Sequence, residues 1–154
     1  MGFISRFFKH KDWFTQQERE AIQEAVRTAE LRTSGEIRVF VEGHCHFVDP
    51  LDRAVEVFTS LKMDQTTERN GVLVYIAMRD KQLAIYGDEG IHRKVGSDFW
   101  NTEVRKMLSF FKAAHFGEGI AAIVSEIGET LHAHFPFDGS KDKNELPDEI
   151  VFGK

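Results

Sequence analysis

The sequence predicts an α/β protein in which a small mixed sheet carries helices on both faces. Stretches with apolar residues at helical spacing alternate with short runs of β-branched residues, in the order α-β-α-β-β-α-α. The chain has 154 residues, of which 42% are hydrophobic, so it can bury one ordinary core. We therefore expect a single α/β domain.

The first half of the chain predicts a helix, a strand and a second helix. Thr15 followed three residues later by Glu18 is typical of a capping box, and apolar residues then recur at helical spacing. Residues 36–42, EIRVFVE, alternate between apolar and charged side chains, which predicts a strand with one buried face. Apolar spacing after Pro50 predicts the second helix.

The second half predicts a hairpin followed by two helices. Residues 71–77, GVLVYIA, form a continuous apolar run that is typical of a strand covered on both faces. The turn RDKQ leads directly into LAIYG, so these two strands are expected to form an antiparallel hairpin. Apolar spacing from Trp100 and again from Ile120 predicts the two helices, which are separated by glycines.

The composition changes after Pro136. Residues 136–154 are polar, acidic and rich in turn residues, which predicts an extended tail without a core of its own. The last apolar residues, at 150–152, are candidates to dock on this domain, on a second copy or on a partner. Self-association through the tail is therefore one hypothesis.

Charge and composition exclude some classes of partner. The chain has 25 acidic against 20 basic residues, whereas proteins that bind nucleic acid usually present a basic face, so we predict no nucleic-acid partner. The single cysteine, Cys45, excludes an internal disulfide and fits a reducing compartment. Residues 1–13 mix aromatic and basic side chains, and their apolar stretch is too short for a secretory or spanning segment. They are expected to fold back on the domain or to make peripheral contact with a membrane, and we predict a cytoplasmic protein.

An acidic pair between glycines is the first candidate site. Asp88 and Glu89 follow a strand pattern and lie between Gly87, which allows a positive φ, and Gly90, which allows a tight turn. Hard divalent cations prefer carboxylate oxygens, and Asp98, expected to open the next helix, offers a third carboxylate. The alternative interpretation is a solvated turn whose carboxylates cap the helix.

Other patterns carry less chemistry. Residues 44–46, HCH, place two imidazoles near a strand end, and His132 and His134 fall at the end of the last predicted helix. Neither pair has the spacing of a recognised zinc site. The sequence contains no nucleophile elbow, P-loop or dinucleotide fingerprint, so hydrolysis of a phosphate ester would need a metal-activated water.

Three segments together resemble the TPM domain family, which includes a plant thylakoid-lumen protein of photosystem II repair and an auxiliary protein of acetylcholine receptors. They are RNGVLVYIAMRDKQLAIYGDEGI, SDFWNTEVRKMLSFFK and FGEGIAAIVSEIGE, within a TPM-like domain at residues 14–135. The resemblance implies a three-layer α/β/α sandwich and divalent-cation binding, with Ca²⁺ or Mg²⁺ expected. Gly87, Glu89 and Gly90 match the loop of the family, and Asp98 matches an acid at the following helix.

The resemblance also frames two functional hypotheses. The chain is similar to short, standalone bacterial members, whose expected partners are LemA-type membrane-associated proteins. The first hypothesis is a non-catalytic accessory or scaffold module with a divalent-cation site at Asp88, Glu89 and Asp98. The alternative, implied by a disputed acid phosphatase activity of the plant member, is a metal-assisted phosphatase that uses the same three ligands.

Overall fold

The computed structural model describes residues 13–111, 116–137, 139 and 150–153. The predicted N-terminal segment therefore lies outside the described residues except at residue 13, and so does most of the tail. A short 3₁₀ turn at Met63–Gln65 precedes the second strand. The other elements are α1 (Gln16–Glu30), β1 (Glu36–Glu42), α2 (Pro50–Ser60), β2 (Gly71–Ala77), β3 (Gln82–Gly87), α3 (Glu89–Phe110), α4 (Phe116–His134) and β4 (Val151–Phe152).

The four strands form one mixed sheet in the order β3-β2-β1-β4. β1 runs parallel to β2 and β4, whereas β2 and β3 are antiparallel, which confirms the predicted hairpin. β4 is the element that the sequence pattern did not predict as a strand. Val151 and Phe152 pair with Phe40 and Val41, so the last apolar residues of the tail dock on this domain.

Helices cover both faces of the sheet. Val39, Val74 and Ile85 belong to a core that packs against α1, α3 and α4. On the other face, Tyr75 and Ala84 belong to a core that packs against α2 and the 3₁₀ turn. The predicted three-layer α/β/α sandwich is therefore confirmed.

The prediction that β1 buries one face is wrong. Its charged residues Arg38 and Glu42 are 7% and 5% exposed. Glu42 accepts two hydrogen bonds from the Arg53 guanidinium at 2.9 Å each and one from the Tyr75 hydroxyl. Glu42 can lie on a buried face because Arg53 and Tyr75 there meet its hydrogen-bonding needs.

The first two described α-helices begin at side-chain caps. Thr15 and Glu18 form the predicted capping box, and the second carboxylate oxygen of Glu18 accepts the Gly117 N–H at 3.0 Å, which ties α1 to the start of α4. Asp49 caps α2 by accepting the Leu51 N–H at 2.9 Å. Within the described ranges, no helix is both long enough and apolar enough to cross a bilayer.

Candidate functional site

The acidic pair lies at a direct junction between β3 and α3, with no loop between them. Asp88 is the N-cap of α3 and Glu89 is its first residue. α3 consists of two helical parts joined at Gly96, where the backbone is not helical, and the second part begins near Asp98 as predicted. An Asp88 carboxylate oxygen accepts the Glu89 N–H at 2.8 Å. The capping alternative therefore describes the structural role of Asp88.

Arg69 forms a bidentate ion pair with the Asp88 carboxylate. Its Nε and Nη2 donate to the two oxygens of Asp88 at 2.7 and 2.9 Å, in a bidentate pair, and the Asp88 hydrogen bond raises the pKa of Arg69. The Arg69 backbone is left-handed, with φ of 52°. Its carbonyl accepts the Gly90 N–H at 2.8 Å, so one residue holds the first turn of α3 through both backbone and side chain.

The two glycines are explained by close packing. Neither Gly87 nor Gly90 has a positive φ, so the left-handed conformation that glycine allows is used at neither position. A Cβ on Gly87 would overlap the Trp100 ring, and a Cβ on Gly90 would overlap the carbonyl of Glu68. The glycines therefore let α3 lie directly against the end of β3 and the segment before β2.

Glu89 and Asp98 differ from Asp88 in their surroundings. The Glu89 side chain is 52% exposed, 3.3 Å from Nη1 of Arg69 and 3.7 Å from Nη2 of Arg93. Asp98 is exposed and lies beyond a kink in α3 at Gly96, where φ is 78°. Among the described residues, no three His, Cys, Asp or Glu side chains are grouped as a metal site requires. The structure thus brings Asp88 and Glu89 together and does not bring Asp98 to them.

These donors do not form a ready cation site. Both oxygens of Asp88 already bind a guanidinium, and the carboxylate is 1% exposed. The exposed carboxylates of Glu89 and Asp98 have the oxygen chemistry that Ca²⁺ and Mg²⁺ prefer. A cation that used Asp88 as a ligand would first have to displace Arg69.

A groove of about 520 Å³ lies beside the acidic pair, along β3, and we call it the β3 groove. Its floor is β3 itself, and its walls are the start of α2 and the first half of α3. Most of the surface is apolar, and Glu89 lies at its rim. The lining residues are Asp49, Pro50, Leu51, Leu83, Ala84, Ile85, Tyr86, Gly87, Glu89, His92, Ser97, Trp100, Asn101 and Val104.

A tryptophan–histidine pair shapes the α3 wall. Trp100 Nε1 donates to His92 Nδ1 at 3.0 Å, across the kink at Gly96. His92 therefore carries its proton on Nε2 when neutral, because Nδ1 accepts. Sequence reasoning missed both residues as parts of a site. The two residues are eight positions apart with a glycine between them, and this spacing alone does not predict a contact. Their role in the groove depends on the packing of Trp100 against Gly87.

One histidine of each pair contacts a residue from another part of the chain: His44 contacts Asp80, and His132 contacts Arg32. His44 Nδ1 lies 3.0 Å from a carboxylate oxygen of Asp80, and the Cys45 N–H donates to the other oxygen at 2.7 Å. These bonds, that of His44 first, lower the pKa of Asp80 and fasten the segment after β1 to the β2–β3 turn. At the end of α4, His132 Nδ1 lies 2.8 Å from the Arg32 carbonyl.

Comparisons with known proteins agree with the fold. The family model described as TPM domain matches residues 8–130. The NMR structure of the BA42 protein from the psychrophilic bacterium Bizionia argentinensis is 42% identical, covers 91% of this chain and 95% of that one, and superposes with a TM-score of 0.79. The N-terminal domain of the cg2496 protein from Corynebacterium glutamicum is 13% identical, covers 86% and 80%, has a TM-score of 0.60 and supports the fold alone. No curated protein matches the chain.

Proposed function

This chain belongs to the TPM domain family, and on that premise we propose that it is a non-catalytic accessory module that holds a segment of a protein partner in the β3 groove. The observation that carries the proposal is the chemistry of the groove. Leu51, Ile85, Trp100 and Val104 give it apolar walls and floor, and its charged residues are Asp49 and Glu89. Apolar grooves with a few polar groups at the rim suit protein segments.

The same lining argues against the phosphatase alternative. None of the described residues that line the groove is lysine or arginine, whereas a phosphate ester carries negative charge that needs donors or cations around it. Ser97 is a hydroxyl in the lining, and it lies exposed next to the kink in α3. A metal-assisted phosphatase would need bound cations to reverse the negative charge of Asp49 and Glu89.

A divalent cation remains part of the proposal as a ligand of the acidic pair. We propose that Ca²⁺ or Mg²⁺ binds Glu89 and reaches Asp88 only when Arg69 withdraws. The support is the bidentate Arg69–Asp88 pair, because the Arg69 guanidinium must leave the Asp88 carboxylate before a metal ion can bind there. Such competition predicts weak binding. Asp98 contributes only if the segment around Gly96 changes conformation.

Partner and location follow from the resemblance rather than from the geometry. The proposed partner is a membrane-associated protein of the LemA type, met in the cytoplasm. Fractionation of cells that carry a tagged chain tests this part: we expect the chain in the membrane fraction when that partner is present and in the soluble fraction when it is deleted. A distribution that ignores the deletion contradicts the assignment.

Selection of peptides tests the groove function. A phage-displayed library of random short peptides, selected on the folded protein, should yield binders that shift the NMR signals of residues 83–104. Leu51→Glu places a charge in the groove and should remove binding. Val55→Glu is the matched control, because Val55 is a similarly exposed apolar residue of α2 outside the groove lining.

An activity assay on the same purified protein distinguishes the accessory function from the phosphatase. Phosphate release from p-nitrophenyl phosphate in millimolar Mg²⁺ should stay at the buffer level. Turnover that Glu89→Ala abolishes would establish the phosphatase instead, and a library without a single groove binder would overturn the accessory function.

A cation titration tests the competition with Arg69. Arg69→Gln should tighten Ca²⁺ or Mg²⁺ binding several-fold, measured as the cation-dependent rise in melting temperature and as NMR shifts of residues 86–98. Arg93→Gln is the control, since Arg93 approaches Glu89 without bonding to Asp88. Equal effects of the two substitutions would mean that only net charge matters, and no response at millimolar cation in any variant would remove the cation from the proposal.

A further inference from the structure

β3 presents an unpaired backbone edge to the groove. It is the outermost strand in the order β3-β2-β1-β4. The Asp88 N–H donates to the Gly71 carbonyl at 2.9 Å, and these two residues continue by one position the antiparallel register that pairs Gly87 with Val72. Because hydrogen-bonded pairs alternate in such a ladder, the backbone groups of Ala84 and Tyr86 also face β2. Those of Leu83 and Ile85 then face the groove.

No described residue pairs with these outward groups. Among the backbone hydrogen bonds of the described residues, none outside the β2–β3 ladder uses the N–H or carbonyl of Leu83, Ile85 or Gly87. All three residues line the groove. An extended segment laid along β3 would find up to three donors and three acceptors, at the alternating spacing that strand addition uses.

β3 also lacks the usual protection of an edge strand. Natural sheets guard such edges with proline, with charged side chains or with a covering element. Residues 82–87, QLAIYG, contain neither proline nor a charged residue. α2 and α3 flank the edge closely, so that Leu83, Ala84 and Ile85 are only 4%, 5% and 3% exposed, and the groove is the space left between the two helices.

The charges at the groove define the chemistry of the segment. Asp49 lies on the α2 side and Glu89 on the α3 side, and no described lining residue is lysine or arginine. Arg69 and Arg93 partly balance the charge of Glu89, whereas Asp49 forms no ion pair among the described residues. Complementarity therefore favours lysine or arginine in the occupant, with Asp49 as the stronger attraction. The apolar walls at Leu51 and Trp100 favour bulky apolar side chains at alternate positions, which a strand directs to opposite faces.

We propose that the occupant of the β3 groove is an extended partner segment that adds to the free edge of β3 as a fifth strand, with bulky apolar side chains and at least one lysine or arginine that meets Asp49 or Glu89. This inference rests on the proposed accessory function and specifies how it works. The other edge of the sheet already accepts such a segment, since β4 pairs with β1 through Val151 and Phe152. A fifth strand would leave the sheet paired on both sides.

Amide exchange with a bound library peptide tests the mode of binding. In the complex, the N–H groups of Leu83 and Ile85 should gain protection of at least tenfold. Ala84 and Tyr86, which already pair with β2, should change little. N-methylation of the peptide amides one at a time should weaken binding at alternate positions only. A peptide that binds in the groove without these period-two patterns overturns strand addition and leaves the accessory function standing, whereas the absence of any groove peptide overturns both.

Charge substitutions test the basic residue of the segment. Asp49→Asn keeps a capping side chain and Glu89→Gln keeps the shape, so the double variant should fold and should bind the selected basic peptides several-fold more weakly. Asp52→Asn, on the same helix and outside the groove lining, is the control. Equal affinity of the double variant would overturn the charge assignment. A doubled mass in light scattering that Leu51→Glu reverses would show a second copy in the groove and overturn the partner segment.

Discussion

The two edges of the sheet are finished in different ways. At one edge, β4 pairs with β1, Gly153 donates to the Val41 carbonyl at 2.7 Å, and Ile150 is buried beside them. At the other edge, β3 faces a groove. The chain thus closes one edge with its own last residues and leaves the other to an external segment. An open edge that is walled by helices can bind a partner with less risk of aggregation, because the walls limit what can approach it.

Truncation after residue 149 should have the largest effect on this comparison. It removes the buried side chain of Ile150 together with the β4 pairing, and we expect the free energy of unfolding to fall by about 2–4 kcal/mol. The exposed β1 edge should also promote self-association, seen as a higher mass in light scattering.

A chain that lacks only residue 154 is the control for this truncation. A loss below about 0.5 kcal/mol, within the usual range for surface changes, would mean that β4 contributes little to closing the edge.

Glu42→Gln should have the second largest effect, at the closed edge. Burial alone would raise the pKa of Glu42, but the hydrogen bonds from Arg53 and Tyr75 outweigh it and hold the pKa below its usual value of 4.5. The unfolded chain therefore takes up a proton more readily than the folded one. The stabilisation is present above pH 4.5 and is lost as the pH falls through the lowered pKa. We expect the variant to lose about 2 kcal/mol at pH 7 and less near pH 3.

Urea unfolding at the two pH values measures this difference. Glu56→Gln is the matched control, because Glu56 pairs with the same arginine and its side chain is 52% exposed. A loss for Glu42→Gln that stays constant between the two pH values would contradict the linkage.

Glu103 lies in α3, the helix that forms one wall of the groove. Glu103→Gln should raise the stability of the protein, by less than Glu42→Gln lowers it. Burial first, and then Glu126, raises the pKa of Glu103, and its Oε1 has no hydrogen-bond partner among the described residues. The folded state therefore holds the proton more tightly, so stability falls as the pH rises from 4.5 through the raised pKa. At pH 7 the substitution should stabilise the protein by about 1 kcal/mol.

Thermal unfolding between pH 4 and 8 checks this prediction, since the variant should show a flatter profile than the wild type. Peptide binding in the β3 groove should be unchanged, because Glu103 does not line it. A less stable variant at pH 7 would show that the Lys106 pair outweighs the cost of burial.

Leu51→Glu should have the smallest effect on stability. The Leu51 side chain is exposed in the first turn of α2, where a carboxylate suits the helix dipole, so we expect a change within about 0.5 kcal/mol. Peptide binding should nevertheless be lost. A destabilisation above about 1 kcal/mol would show that Leu51 supports the fold, and the loss of binding would then carry no information about the groove.

The parts that follow from local patterns could be predicted from the sequence. The capping box at Thr15 and Glu18 lies within one helical turn, and the β2–β3 hairpin closes over a four-residue turn. β4 could not be predicted as a strand, because two residues are too few to show the alternation of apolar and polar side chains that marks a strand. Their docking depends on the shape of the β1 edge.

The site depends on residues that meet only in three dimensions. Arg69 and Asp88 are 19 positions apart, and a bidentate pair between them leaves no local signal. The roles of Gly87 and Gly90 follow from where Trp100 and Glu68 lie, so the sequence suggested a turn where the structure needs space. That β3 is an edge depends on the strand order, which the element order alone does not determine.

Amide exchange of the free protein tests the central claim most directly. Residues 83–86 alternate between groups that face the groove and groups that face β2. We predict that the N–H groups of Leu83 and Ile85 exchange at least tenfold faster than those of Ala84 and Tyr86 in the absence of any peptide. Equal protection of all four amides would show that the β3 edge is already paired, and would contradict both an open edge and the binding of a partner strand there.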